Sequence, residues 1–113
     1  MSKRAELIQK YIADLKDKTG MDADEDLMTK VTIACGPSIY NADSSSVSAG
    51  SREELLTVQN NFVMKKLGIT DEDSAMGAVQ KAIETYGRSN RNKYRAVLYY
   101  IITKQQGKES VFA

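Results

Sequence analysis

The chain has no histidine and no tryptophan, and only one cysteine and one proline, in 113 residues. Without an imidazole, Ser-His-Asp and Cys-His machinery, a histidine general base and most zinc sites are excluded together, because each needs a ring nitrogen that titrates near neutrality or binds metal. Lys, Asp, Glu and Tyr are left as acid or base candidates. The reading therefore leans away from an enzyme and assigns no catalytic residue, no metal and no cofactor. The single thiol, Cys35, cannot close an internal disulfide, which agrees with a reducing compartment. Long hydrophobic runs are also missing: the longest, Ala96 to Ile102, has seven residues, against the roughly 20 a membrane-spanning helix needs. At the opening, Lys3, Arg4, Glu6 and Lys10 interrupt any apolar stretch that could act as a signal-peptide core, so the chain is expected in the cytoplasm, away from membranes.

What is present fits an ordinary globular chain. Apolar residues make up 42% and charged residues 27%, near the averages for folded domains. A chain of this length hides roughly 65% of its unfolded surface, enough for one core without staples, so residues 1–113 are read as a single helical domain. The net charge is only +1, yet it is unevenly spread. Between positions 14 and 26, Asp14, Asp17, Asp22, Asp24, Glu25 and Asp26 outnumber Lys16 and Lys18; between 85 and 108, Arg88, Arg91, Lys93, Arg95, Lys104 and Lys108 meet no acid. The molecule is expected to be bipolar.

Five segments each combine a start signal, a helix-period apolar stripe and a glycine stop. The fold class this predicts is all-α: a compact bundle of about five helices with one long loop between helices two and three. Ser2 can cap the first, whose stripe is Ile8, Tyr11, Ile12 and Leu15, with Gly20 past its end. Asp22 or Asp24 can start the second, followed by Leu27, Met28, Val31 and Cys35 and stopped by Gly36 and Pro37. Val31, Ile33 and Cys35 also alternate, so a strand over residues 28–35 competes, although length and end signals favour helix. Gly36 to Gly50 is a loop of about fifteen residues, long for a compact domain, with Ile39 and Tyr40 as candidate pins. Ser51 and Glu54 form a capping box for a third helix carrying Leu55, Val58, Phe62, Val63 and Leu67 up to Gly68. Thr70 and Asp73 make a similar start for a fourth, with Met76, Val79, Ile83 and Tyr86 before Gly87. Ser89 or Asn90 caps a fifth, with Tyr94, Val97, Leu98, Ile101 and Ile102 inward and Gly107 beyond. The tail residues Val111 and Phe112 are expected to dock on the bundle.

Two stretches are distinctive as words: Gly36-Pro37-Ser38-Ile39-Tyr40-Asn41-Ala42-Asp43 and Gly87-Arg88-Ser89-Asn90-Arg91-Asn92-Lys93-Tyr94-Arg95. With the opening Ser2 to Leu15, they make the chain resemble a family of small bacterial proteins catalogued as a domain of unknown function. The resemblance implies a bacterial, cytoplasmic, single-domain protein and lends no activity, ligand or catalytic residue.

The candidate binding residues cluster in these words: Arg88, Asn90, Arg91, Lys93 and Arg95 at the start of the last helix, and Tyr40, Asn41 and Asp43 in the loop. Cations at a helix start oppose the macrodipole unless an anion or a carboxylate neutralises them. On a helical wheel Arg91 shares a side with Leu98 and Ile102 and must find a partner; bonding to loop acids or carbonyls, Asp43 among them, is favoured over a ligand-anion pocket. Lys93, Tyr100 and Lys104 form one cation-aromatic-cation stripe that could track a nucleic-acid backbone, but a pI near 7.8 falls short of the value above about 9 that marks such proteins. Tyr40, Asn41 and Asp43 serve equally well as turn formers. Cys35, at a helix C-terminus, is expected to be a buried structural thiol. Asp22, Asp24 and Asp26 imitate the opening of a calcium loop, but Leu27 stands where glycine is needed and Ile33 where a bidentate Glu should be. The function these residues favour is a non-enzymatic protein-interaction module, with a protein partner or a second copy. The alternative is anion or nucleic-acid binding through the basic N-terminal turn of the last helix.

Overall fold

A computed structural model describes residues 3–41, 44–87 and 93–112. Five α-helices dominate: α1 (Lys3–Thr19), α2 (Glu25–Cys35), α3 (Arg52–Thr57), α4 (Glu72–Tyr86) and α5 (Arg95–Gln105). All five glycine stops carry positive φ, from +64° at Gly107 to +109° at Gly87, the left-handed backbone that ends helices and that side chains with a Cβ resist. Residues 28–35 are helical, so the competing strand is not formed.

The caps follow the expected chemistry with two changes of residue. Asp24 caps α2, its side chain accepting from the Leu27 N–H at 3.2 Å, and Ser51 caps α3, accepting from the Glu54 N–H at 3.3 Å. The fourth helix starts from Asp71 instead of Thr70; the aspartate accepts from both the N–H and the hydroxyl of Ser74. The fifth starts at Arg95 after Tyr94, later than expected. Ser2, Ser89 and Asn90, the other expected caps, lie outside the described residues.

The architecture departs from purely α in one place. The long loop is partly ordered: a 3-10 turn spans Gly36–Tyr40, and Ser46–Val47 forms a short strand, β1, antiparallel to Lys93–Tyr94, β2, with Ser46 opposite Tyr94 and Val47 opposite Lys93. The buried apolar residues of the loop are Ile39 and Val47, at 5% and 1% exposure, whereas Tyr40 stands 54% exposed. Beyond Thr57 the third helix widens into a π-helical stretch, Val58–Met64, where the N–H groups of Lys65 and Leu67 reach back five residues to the carbonyls of Asn60 and Phe62.

The core is built around α5. Every residue from Ala96 to Thr103 is buried, as the run Ala-Val-Leu-Tyr-Tyr-Ile-Ile demands of a helix apolar on all sides. Helices α1, α2 and α4 pack around it through Tyr11, Leu15, Met28, Val31, Val79 and Ile83. Two of its buried side chains find partners: Thr103 donates to the Tyr99 carbonyl at 2.8 Å, and the Tyr100 hydroxyl accepts from the Asp24 N–H at 2.8 Å. The tail docks as expected, with Phe112 buried 6.4 Å from the ring of Phe62. A Cα radius of gyration of 12.8 Å matches the ~13 Å of a compact chain of this length.

Candidate functional site

The start of α5 is tied to the mid-chain loop by an arginine, and that arginine is Arg95. Its N–H donates to the Ser45 carbonyl at 2.7 Å, its Nε to the Ser44 carbonyl at 2.8 Å, and its Nη1 to the Tyr99 hydroxyl at 3.1 Å. Tyr99 in turn stacks on Phe62, with ring centroids 3.9 Å apart. The guanidinium is thereby fixed by two partners, one in the loop and one on its own helix, which lowers the ordering cost of any further bond it makes. The sequence reading gave this clamping role to Arg91. Arg91 and its suggested partner Asp43 lie outside the described residues, as do Arg88 and Asn90.

Lys93 does not stand on an outer surface. It is 1% exposed, in β2 opposite Val47, and Tyr100 is also 1% exposed. The stripe of Lys93, Tyr100 and Lys104 therefore offers no continuous exposed face; the helical wheel was extended over two residues that are strand, and a central helix has no solvent side for Tyr100. Asn41 serves its own turn: its carbonyl accepts from the Ser45 N–H at 2.9 Å and its side chain from the Ser44 N–H at 3.4 Å. The three aspartates that imitate a calcium loop each have a separate structural partner: Lys16 for Asp22, the Leu27 N–H for Asp24, and Lys30 for Asp26.

Two clefts collect the chemistry that the described surface offers. The first, of about 260 Å³, lies between the end of α2, the π-helical stretch and α5, with Arg95 and Lys66 as its cations, Asn61 at its side, and Phe62, Tyr99 and Cys35 as walls. The second, of about 270 Å³, is floored by Ile39, Pro37 and Thr32 and flanked by Ile33, Tyr40 and Arg4. Arg4 also lines an adjoining depression together with Glu25 and Thr29. A third and larger cleft, about 380 Å³, separates α3 from α4 beside the buried Gln59. Sequence reasoning missed Arg4, Ile33, Asn61 and Lys66. Ile33 was legible: it falls off the Leu27, Met28, Val31 stripe, so a helical assignment for this segment already placed an isoleucine on the outer side.

The thiol and three of the tyrosines are shifted upward. Burial pushes the Cys35 thiol up to about 12, with the charge of Arg95 opposing weakly. Burial also raises Tyr99, against the hydrogen bond from Arg95. Tyr11 is pushed up to about 12, chiefly by burial, and Tyr86 is raised by burial and by its hydroxyl bond to Asp14. Such groups hold structure well and are poor nucleophiles or bases at neutral pH.

Residues 10–110 match the profile of a family described as Protein of unknown function (DUF2853). The chain belongs to the DUF2853 family. No curated protein matches it. The DUF2853 match takes in both clefts except Arg4. Among the described residues no helix is long and apolar enough to cross a membrane.

Proposed function

We propose that this DUF2853 chain is a non-enzymatic protein-interaction module whose docking face is the cleft flanked by Ile33 and Tyr40, and that the partner it fits is a second copy of itself. The observation that carries the reading is that the two most exposed large apolar residues among those described, Ile33 at 49% and Tyr40 at 54%, flank the same cleft. Apolar side chains scattered singly over a surface mean little, whereas two around one apolar hollow are what a docking surface presents. Covering the exposed halves of Ile33 and Tyr40 would contribute on the order of 1 kcal/mol each.

The charges beside the cleft favour a copy of the chain as the occupant. Arg4 lines this cleft and shares the adjoining depression with Glu25. A two-fold dimer places one patch on its own image, so a patch bearing one cation, one acid and an apolar centre can bring Arg4 of each protomer to Glu25 of the other. Sedimentation over a concentration series tests this. The wild-type chain is expected to shift from monomer to dimer mass, and Ile33→Glu, which replaces the apolar side chain at the seam with a carboxylate, is expected to stay monomeric and to melt as the dilute wild-type monomer does. A wild-type chain that stays monomeric throughout would refute self-association through this face.

A further inference from the structure

We propose that the pocket between the end of α2, the π-helical stretch and the start of α5 binds a small aromatic carboxylate, its carboxylate held by Arg95 and Lys66 and its ring lying against Phe62 and Tyr99. Four observations carry this. First, neither cation has a carboxylate within 4.0 Å among the described residues, although Lys16, Lys18, Lys30 and Lys104 all do. The first turn of α5 also holds no acid to offset Arg95, so among the described residues a positive charge stands at the positive pole of a helix with no carboxylate beside it, the condition an anion relieves.

Second, Arg95 is already positioned. Its Nε and one N–H of Nη1 are bonded to Ser44 and Tyr99, and its other guanidinium N–H groups have no acceptor among the described residues. A planar fork held on one side and open on the other suits a carboxylate. Third, the walls select an organic body. Ala34, Cys35, Phe62 and Tyr99 line the pocket, and the Phe62–Tyr99 pair, whose facing sides are spent on each other at 3.9 Å between centroids, turns ring edges to the pocket, against which a flat ring can pack edge to face.

Fourth, the pocket disfavours inorganic phosphate. Phosphate sites at helix N-termini use the free N–H groups of the first turn, and here the first of them, that of Arg95, is spent on the Ser45 carbonyl at 2.7 Å. A volume of about 260 Å³ lies just below the range of drug-sized ligand pockets, about 300–1,000 Å³, which suits a single-ring acid. The thiol of Cys35 is a wall and not a reactant, since its pKa is far above neutrality.

The test uses the full chain with benzoate, benzamide and inorganic phosphate as probes, followed by amide NMR shifts. Benzoate is expected to give saturable shifts concentrated at Ala34, Cys35, Phe62, Arg95 and Tyr99, with benzamide, its neutral isostere, and phosphate each binding at least roughly tenfold more weakly. Arg95 also holds the loop, so the informative variant is Lys66→Met, at an exposed position where the ammonium's one described contact is the Phe112 ring, at 5.3 Å. It is expected to weaken benzoate by roughly tenfold, as loss of a charged hydrogen bond does, while leaving the melting curve unchanged. Shifts scattered away from the pocket, equal binding of benzamide or tighter binding of phosphate, or an unaltered Lys66→Met titration would each overturn the proposal.

Discussion

Tyr86 has no accessible surface, and its hydroxyl joins three parts of the chain: it donates to the Asp14 carboxylate on α1 and accepts from the Tyr94 N–H at 3.0 Å in β2, from its own place near the end of α4. Removing that oxygen leaves a buried N–H and a carboxylate without it, and leaving such groups unsatisfied costs far more than the bond itself contributes. Tyr86→Phe is expected to lower stability by roughly 1 to 3 kcal/mol, read from urea unfolding; a loss under ~0.5 kcal/mol would show that the hydroxyl is not a structural tie. The sequence places Tyr86 inward as the last member of a stripe, but no sequence signal names its partners, because Asp14 lies 72 residues away. Lys93 illustrates the opposite case. A lysine in a basic, polar word reads as exposed, and only the pairing of β2 with the loop, a long-range contact, buries it.

At the scale of elements, what was legible was what repeats. Stripes at helical spacing and glycines at their ends located all five helices, because amphipathic period and left-handed stops are local properties. Two features escaped for the same reason. Strands of two residues have no period to read, so Lys93–Tyr94 was absorbed into the helix that follows and the start of α5 was set too early. The π-helical stretch keeps Val58, Phe62 and Val63 inward, as an ordinary helix would, and so leaves no mark on the stripe; it betrays itself only in hydrogen bonds that reach five residues back. The stop after it can be tested directly. Gly68 has φ +79°, with no heavy atom within 4 Å of where a Cβ would stand, so Gly68→Ala meets no clash and is charged only with backbone strain. A loss of about 1 kcal/mol is expected from equilibrium unfolding, and a neutral or stabilising result would mean that the left-handed turn is not required there.

Across the whole molecule, the buried phenols and the thiol make stability a function of alkaline pH. Cys35 is raised from 9.0 to about 12 and Tyr11 from 10.0 to about 12, burial being the leading cause in both; Tyr86 and Tyr99 are raised too. A group whose folded pKa lies above its unfolded value contributes stability that is complete below the unfolded pKa and is lost as pH climbs toward the folded one, because the unfolded chain gives up the proton first. Stability should therefore be level up to about pH 8.5, decline gently from about 9 as the unfolded thiol ionises, and decline more steeply above about 10 as the unfolded tyrosines follow, each group adding ~1.4 kcal/mol per pH unit. Urea midpoints followed by circular dichroism between about pH 7 and 11.5 measure the curve. The two phases are separable, since Cys35→Ala should abolish the decline between about 9 and 10 and leave the later one intact. A flat curve through about pH 11 would mean that the phenols reach water in the folded chain, and with it the packing of α1, α4 and α5 around Tyr11, Tyr86 and Tyr99 would have to be redrawn.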